Sequence, residues 1–187
     1  DDRILLNQRW EHLANVLTAK VTGGWLLHQL TQGLALDFLL FFSSATALLG
    51  NMGQANYAAA NAFLDGLARY RQHQGLPALS INWGAWAEAG MAARTAKTRL
   101  DESEMIAPAL GRLALTQLLG CDGQIGVMPI NWQHLSAIGA GAQPFLANFV
   151  TPMPVATSLA PPDRPALSQE LAALPAPRRL EHLKRYL

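Results

Sequence analysis

Five consecutive apolar residues, Phe38-Leu39-Leu40-Phe41-Phe42, constrain the fold more than any other feature of this chain. Gly33 precedes the run, Ser43-Ser44 follow it, and no polar residue alternates within it. A strand that is apolar on both sides must be covered on both sides, as in a parallel sheet between helices. Helical patterns flank it. From 4 to 31, Leu6, Trp10, Leu13, Leu17, Val21 and Trp25 recur at three- or four-residue spacing and predict one amphipathic helix, with Gly23 and Gly24 allowing close packing. Gln54 to Gln74 predicts a second helix, preceded by the turn-like Gly50-Asn51-Met52-Gly53 and stopped by Gly75 ahead of Pro77. Leu79–Trp83 reads as the next strand and Glu88 to Glu104 as a mixed stretch. Pro108 to Leu119 follows as a helix, and Ile125 to Ile130 as a third strand. Helix and strand alternating at this spacing predict an α/β fold with right-handed crossovers and a doubly wound parallel sheet.

Composition narrows the partners. The 187 residues suit one domain, and 14% are charged, against about a quarter in an average soluble protein. A net charge of +1 without a basic cluster gives no footprint for nucleic acid or an anionic membrane. The most apolar stretch, Leu34 to Leu49, is broken by Asp37, Ser43 and Ser44 and is shorter than the roughly 20 residues of a spanning helix. Cys121, the sole cysteine, allows neither an intrachain disulfide nor a cysteine-based zinc cage, and fits a reducing, cytoplasmic setting. No metal site is expected. Seven of the 11 prolines lie beyond residue 150, so the chain divides into a catalytic-type segment, 1–150, and a Pro-rich linker, 151–187. That linker ends in a short helix whose Leu180, Leu183 and Leu187 share a face. The opening Asp1-Asp2-Arg3 has neither an initiator Met nor a leader, which reads as a piece of something longer.

Ligands of open α/β sheets sit beyond the carboxyl ends of the strands, where Ser43 and Ser44 fall. Tyr57 follows thirteen residues after Ser44, and Asn61 stands four further on, on the same helical face. A hydroxyl, a phenol and an amide converging there could bind and protonate a carbonyl oxygen. A free phenol titrates at about 10, so such a site needs a cation. Lys20, one of only three lysines, lies beside the apolar stripe of the first helix; its ammonium would favour the phenolate and ease proton transfer near neutrality. The bland alternative is a capping serine, a half-buried tyrosine, a solvated lysine and an ordinary helical asparagine.

These residues carry a resemblance. Phe41-Phe42-Ser43-Ser44, Gly50-Asn51-Met52-Gly53-Gln54-Ala55-Asn56-Tyr57-Ala58-Ala59-Ala60-Asn61-Ala62-Phe63-Leu64-Asp65, the Lys20 to Thr31 block and Ile81-Asn82-Trp83-Gly84-Ala85-Trp86 together resemble the ketoreductase domain of modular polyketide synthases. That domain belongs to the short-chain dehydrogenase/reductase superfamily, with a Rossmann-like sheet. Stand-alone members place a lysine four residues after the tyrosine; here Asn61 stands there and Lys20 lies upstream, which resembles the synthase arrangement.

The resemblance implies an NADPH-dependent reduction of a β-ketoacyl thioester carried on the phosphopantetheine arm of an acyl carrier protein. Tyr57 would donate the proton, Ser44 would bind the ketone oxygen, Lys20 would favour the phenolate, and Asn61 would support the relay. Lys20, Tyr57, Trp83 and Gly84 would meet the cofactor, and Trp86 and Met91, with Trp83, the acyl path. Core packing is the alternative for the two tryptophans and Met91. Asp2 matches the last acid of the Leu-Asp-Asp fingerprint of B-type ketoreductases, and Leu49 stands where A-type domains carry tryptophan. Both imply B-type stereochemistry, with a D-configured hydroxyl. Ala59 stands where the epimerising B-type subclass has proline, implying reduction alone.

The family's Gly-rich dinucleotide turn has no counterpart here. Gly139-Ala140-Gly141-Ala142-Gln143-Pro144 precedes no helical pattern and reads as a loop. By resemblance the chain starts after the family's fourth strand, so the N-terminal, cofactor-binding half of the ketoreductase and the neighbouring synthase domains would come from elsewhere. Two other functions compete with reduction: a non-catalytic structural or interaction fragment of a megasynthase, and an epimerase.

Overall fold

A computed structural model describes residues 2–88 and 104–132, together with Leu146, Pro175 and Arg178. The chain divides into two compact units, Asp1–Ile130 and Asn131–Leu187. Residue 150, where composition divides the sequence, and the leucines of the tail helix lie outside the described residues.

In the first unit, β1 (Leu40–Ser44), β2 (Leu79–Trp83) and β3 (Gly123–Val127) form a parallel sheet in sequence order. Leu40 pairs with Leu79 and Leu79 with Gly123, and the register runs on unbroken to Ser44, Trp83 and Val127. Parallel neighbours need crossovers. Helix α4 (Ala55–His73) supplies the first and α5 (Pro108–Leu118) lies on the second; α1 (Trp10–Leu17), α2 (Gly23–Thr31) and the single turn α3 (Thr46–Leu49) also belong to the unit.

Side chains alternate across a strand. Phe41 packs with Leu64, Leu67, Ala68 and Ala78 under α4. Leu79, Ile81 and Trp83 point to the other face and pack with Ile106 and with Ala114, Leu115 and Leu118 of α5. Every residue of β2 is buried, as a strand between two helical layers requires. The doubly wound, parallel α/β expectation is met.

The boundaries shift in instructive ways. β1 starts at Leu40 and includes both serines, because backbone pairing with Asn82 and Trp83 carries the strand past the end of the apolar run. α4 and α5 match their expected limits within a residue. The first helix does not run through from 4: a 3-10 turn spans Leu5–Asn7, and helix begins at Trp10 after the extended residue Arg9. Between α1 and α2 lies a π turn, Thr18–Thr22. Its additional residue per turn re-phases the stripe, so Gly24 and His28 are buried while Trp25 is 40% exposed. Gly24 fits because a Cβ there would stand 2.9 Å from Cδ2 of Leu64.

Candidate active site

Three segments converge at the carboxyl end of β1: the π turn, the strand tip and the first two turns of α4. Lys20 occupies the π turn, half-buried on the inner face of its helix. Its Nζ donates a 2.7 Å hydrogen bond to the Phe42 carbonyl and lies 5.7 Å from the centroid of the Tyr57 ring. Burial lowers the Lys20 pKa from its ordinary value of 10.5, and the Asp65 carboxylate opposes that shift. With one N–H engaged by Phe42, two remain for a ligand.

Tyr57 and Asn61 follow on one face of α4, and Asn61 Nδ2 donates back to the Tyr57 carbonyl at 2.7 Å. Asn61 is fully buried, and its Oδ1 has no hydrogen-bond partner. Such an orphan is costly unless something occupies it. Ser44 Oγ accepts from the Thr46 amide at 3.3 Å and the Thr46 hydroxyl at 3.0 Å. Both bonds reach its lone pairs from α3, which leaves the Ser44 proton to be donated.

Ser43 points the other way, into the sheet beneath α4. It donates to the Asn61 carbonyl at 3.2 Å and accepts from Asn82 Nδ2 at 3.0 Å. Asn82 and Ser80 interrupt β2 at alternate positions and both meet Asp65 of α4, at 2.9 and 2.6 Å. Asp65, Asn82 and Thr46 were absent from the sequence-derived set. A signal existed for the first two: polar residues at alternate positions of a strand whose every residue is buried need partners on the facing helix.

Asp2 lies against the loop before Tyr57. Its Oδ2 accepts a 2.6 Å bond from Gln54 Nε2, while the Arg3 amide donates to the Gly53 carbonyl at 2.8 Å. Asn51 Nδ2 holds the other end of the Gln54 amide at 2.8 Å. Leu49 closes α3 just ahead of this loop. Trp83 is buried, its ring 5.7 Å from Phe42 and 5.0 Å from Trp86. Trp86 packs over Gly111, where a Cβ would collide with its indole. Both indoles thus pack between the sheet and α5. Gly84 donates to Val127, and a Cβ there would stand 2.7 Å from Met128 Cβ, so the chain passes where no larger residue fits. Met91 lies outside the described residues. Among the described residues no metal-binding group of His, Cys, Asp and Glu occurs, and no helix is long and apolar enough to cross a membrane.

The family model of the KR domain matches residues 1–88, which contain Lys20, Ser44, Tyr57 and Asn61. This chain belongs to the polyketide synthase ketoreductase family. It is 50% identical over 105 residues to the polyketide synthase GfsB of Streptomyces halstedii, covering 56% of this chain and 2% of that protein. Against the polyketide synthase GfsE of the same organism the identity is 44% over 147 residues, 78% of this chain and 4% of the other. Solved ketoreductases share the fold. One described as an A-type ketoreductase from a modular polyketide synthase has 35% identity and a TM-score of 0.69, over 81% of this chain and 31% of that one. The first ketoreductase of the tylosin synthase has 34% identity and a TM-score of 0.68, over 81% and 36%. The ketoreductase segment thus spans a few per cent of these synthases and about a third of these solved chains.

Proposed function

We propose that this segment carries the proton-transfer machinery of an NADPH-dependent β-ketoacyl reductase, acting within a longer polyketide synthase. The observation that carries the reading is the Lys20 ammonium 5.7 Å from the Tyr57 ring, at a strand tip that also presents Ser44. In this reading the acyl group arrives as a thioester on the phosphopantetheine arm of an acyl carrier protein. NADPH, when bound, supplies hydride to the ketone carbon.

The chain's own residues do the rest. Ser44 donates its free proton to the ketone oxygen, and Tyr57 gives up its phenolic proton as negative charge develops there. The Lys20 ammonium stabilises the phenolate left behind, so donors fixed before reaction meet charge that forms during it. The donor set fits the nicotinamide end of the cofactor: two Lys20 N–H groups can hold hydroxyls of its ribose, and the orphaned Asn61 Oδ1 can accept from a relay group. A Gly-rich turn for the pyrophosphate is not in this sequence.

B-type stereochemistry, with a D-configured hydroxyl and no epimerisation, is supported by Asp2 at the Tyr57 loop, by Leu49 and by Ala59. The test follows NADPH oxidation with a β-ketoacyl thioester for this chain alone, for a longer synthase polypeptide containing it, and for that polypeptide with Tyr57→Phe. Turnover in the longer polypeptide that falls at least about 100-fold on loss of the hydroxyl supports reduction. A longer polypeptide that consumes no NADPH supports the alternative of a structural, redox-silent fragment.

A further inference from the structure

Asp65 is a buried carboxylate for which the reduction steps name no task. It lies two turns beyond Tyr57 on the same face of α4 and is 7% exposed. Its Oδ1 accepts from Ser80 Oγ at 2.6 Å and its Oδ2 from Asn82 Nδ2 at 2.9 Å. The same Asn82 nitrogen reaches Ser43 Oγ at 3.0 Å and the Ser44 carbonyl at 3.2 Å, while Asn82 Oδ1 accepts from Gln124 at 3.1 Å. Ser43 passes the connection on to the Asn61 carbonyl. One carboxylate therefore orients the amide that grips the tip of β1 from behind.

A buried carboxylate is tolerated when hydrogen bonds and a positive charge meet it. Among the described residues, Asp65 is the charged group that acts on Lys20. Of the other elements packed on the π turn, α1 carries Glu11 and His12, α2 carries His28, and α4 carries Tyr57, Arg69, Tyr70, Arg71 and His73 besides Asp65. β1 meets Lys20 through the Phe42 carbonyl and carries no acidic or basic side chain.

We propose that Asp65 is a positioning residue for ketone reduction: it fixes Asn82, and through Asn82 the Ser43–Ser44 strand tip. The proposal rests on the reductase reading and adds a residue to it. Asp65 touches neither substrate nor cofactor; it sets where Ser44 stands.

The test uses the longer synthase polypeptide with Asp65→Asn and Asp65→Glu. Two quantities are measured: kcat and KM against pH, and the pH at which Lys20 is half-acylated by an amine-reactive ester, read by peptide mass spectrometry with Lys184 as reference. For Asp65→Asn, kcat should fall about tenfold or more with KM within about twofold. The half-acylation pH of Lys20 should drop, because loss of the opposing charge releases the proton earlier. Asp65→Glu should lower kcat but keep the Lys20 acylation pH near that of the unmodified protein. An unchanged kcat in Asp65→Asn overturns the proposal. Failure of the unmodified polypeptide to consume NADPH would instead sink the reductase reading, and the acylation arm would still decide whether Asp65 acts on Lys20. Should Asp65→Asn not fold, Asn82→Ala keeps the charge and cuts the link. It should lose kcat with Lys20 acylation unmoved, and an undiminished kcat there overturns the proposal.

Discussion

The Lys20 ammonium is anchored to the Phe42 carbonyl at 2.7 Å, two residues before Ser44 on the same strand. That bond fastens the helix carrying the cation to the strand carrying the hydroxyl. The same Nζ lies 5.7 Å from the Tyr57 ring, so one side chain ties three segments together. Its position in a π turn is part of the device: widening the helix by one residue there turns Lys20 inward on the face that buries Gly24 and His28.

His28 makes the protein acid-sensitive. The ring is buried against Trp25 and Tyr70, with Nδ1 3.3 Å from the Arg71 guanidinium. Arg71 can only donate, so Nδ1 accepts, and Nε2 lies 2.7 Å from the side-chain nitrogen of Gln32. Burial first, and the Arg71 charge second, lower the His28 pKa below 6.5. The unfolded chain therefore binds this proton before the folded one does, and stability falls as pH drops from 6.5 through the folded value. The unfolding free energy from urea titration should be lower at pH 5 than at pH 7, by on the order of 1 kcal/mol per unit of lowered pKa. In His28→Gln the difference should shrink; an identical difference in both proteins contradicts the assignment.

Gly111→Ala tests the placement of Trp86. A Cβ on α5 would run into the indole, which is braced by Trp83 on its other side. Overpacking of this kind costs about 1–3 kcal/mol, so the midpoint of thermal unfolding should drop by several degrees. An unchanged midpoint would mean that the ring is free to move aside.

Most of this architecture is written in the sequence, and the exceptions have physical causes. α4 and α5 are readable because glycine, proline and apolar spacing mark their ends, and β2 because Gly84 stops a short run of alternating apolar and polar residues. The π turn leaves no mark in a pattern of three- and four-residue spacing, so the first helix reads as one stripe with Val21 and Trp25 on its inner face. Lys20, Ser44, Tyr57 and Asn61 are legible through their spacing and family resemblance. Asp65 and Asn82 are less so: polar residues alternating in β2 ask for a partner on the facing helix without saying which, and 16 residues separate the two in sequence.

Asp2→Ala should loosen stereochemical control without disabling reduction. The carboxylate accepts from Gln54, the residue that leads into the helix bearing Tyr57, so its loss frees the loop just ahead of the tyrosine. Chiral chromatography of the hydroxyacyl product should show the ratio of D- to L-configured hydroxyl falling by about tenfold, a loss of about 1.4 kcal/mol in discrimination. Retention of the original ratio would remove Asp2 from stereocontrol.

The central claim is that the Lys20 ammonium drives proton transfer from Tyr57. Lys20→Met keeps the length and apolar stem of the side chain and removes the charge together with its one bond to the Phe42 carbonyl, so the fold should survive. Turnover of a β-ketoacyl thioester by the longer synthase polypeptide should then fall at least about 100-fold, with the thermal unfolding midpoint within a few degrees of the unmodified protein. Turnover within twofold of the unmodified protein would contradict the account.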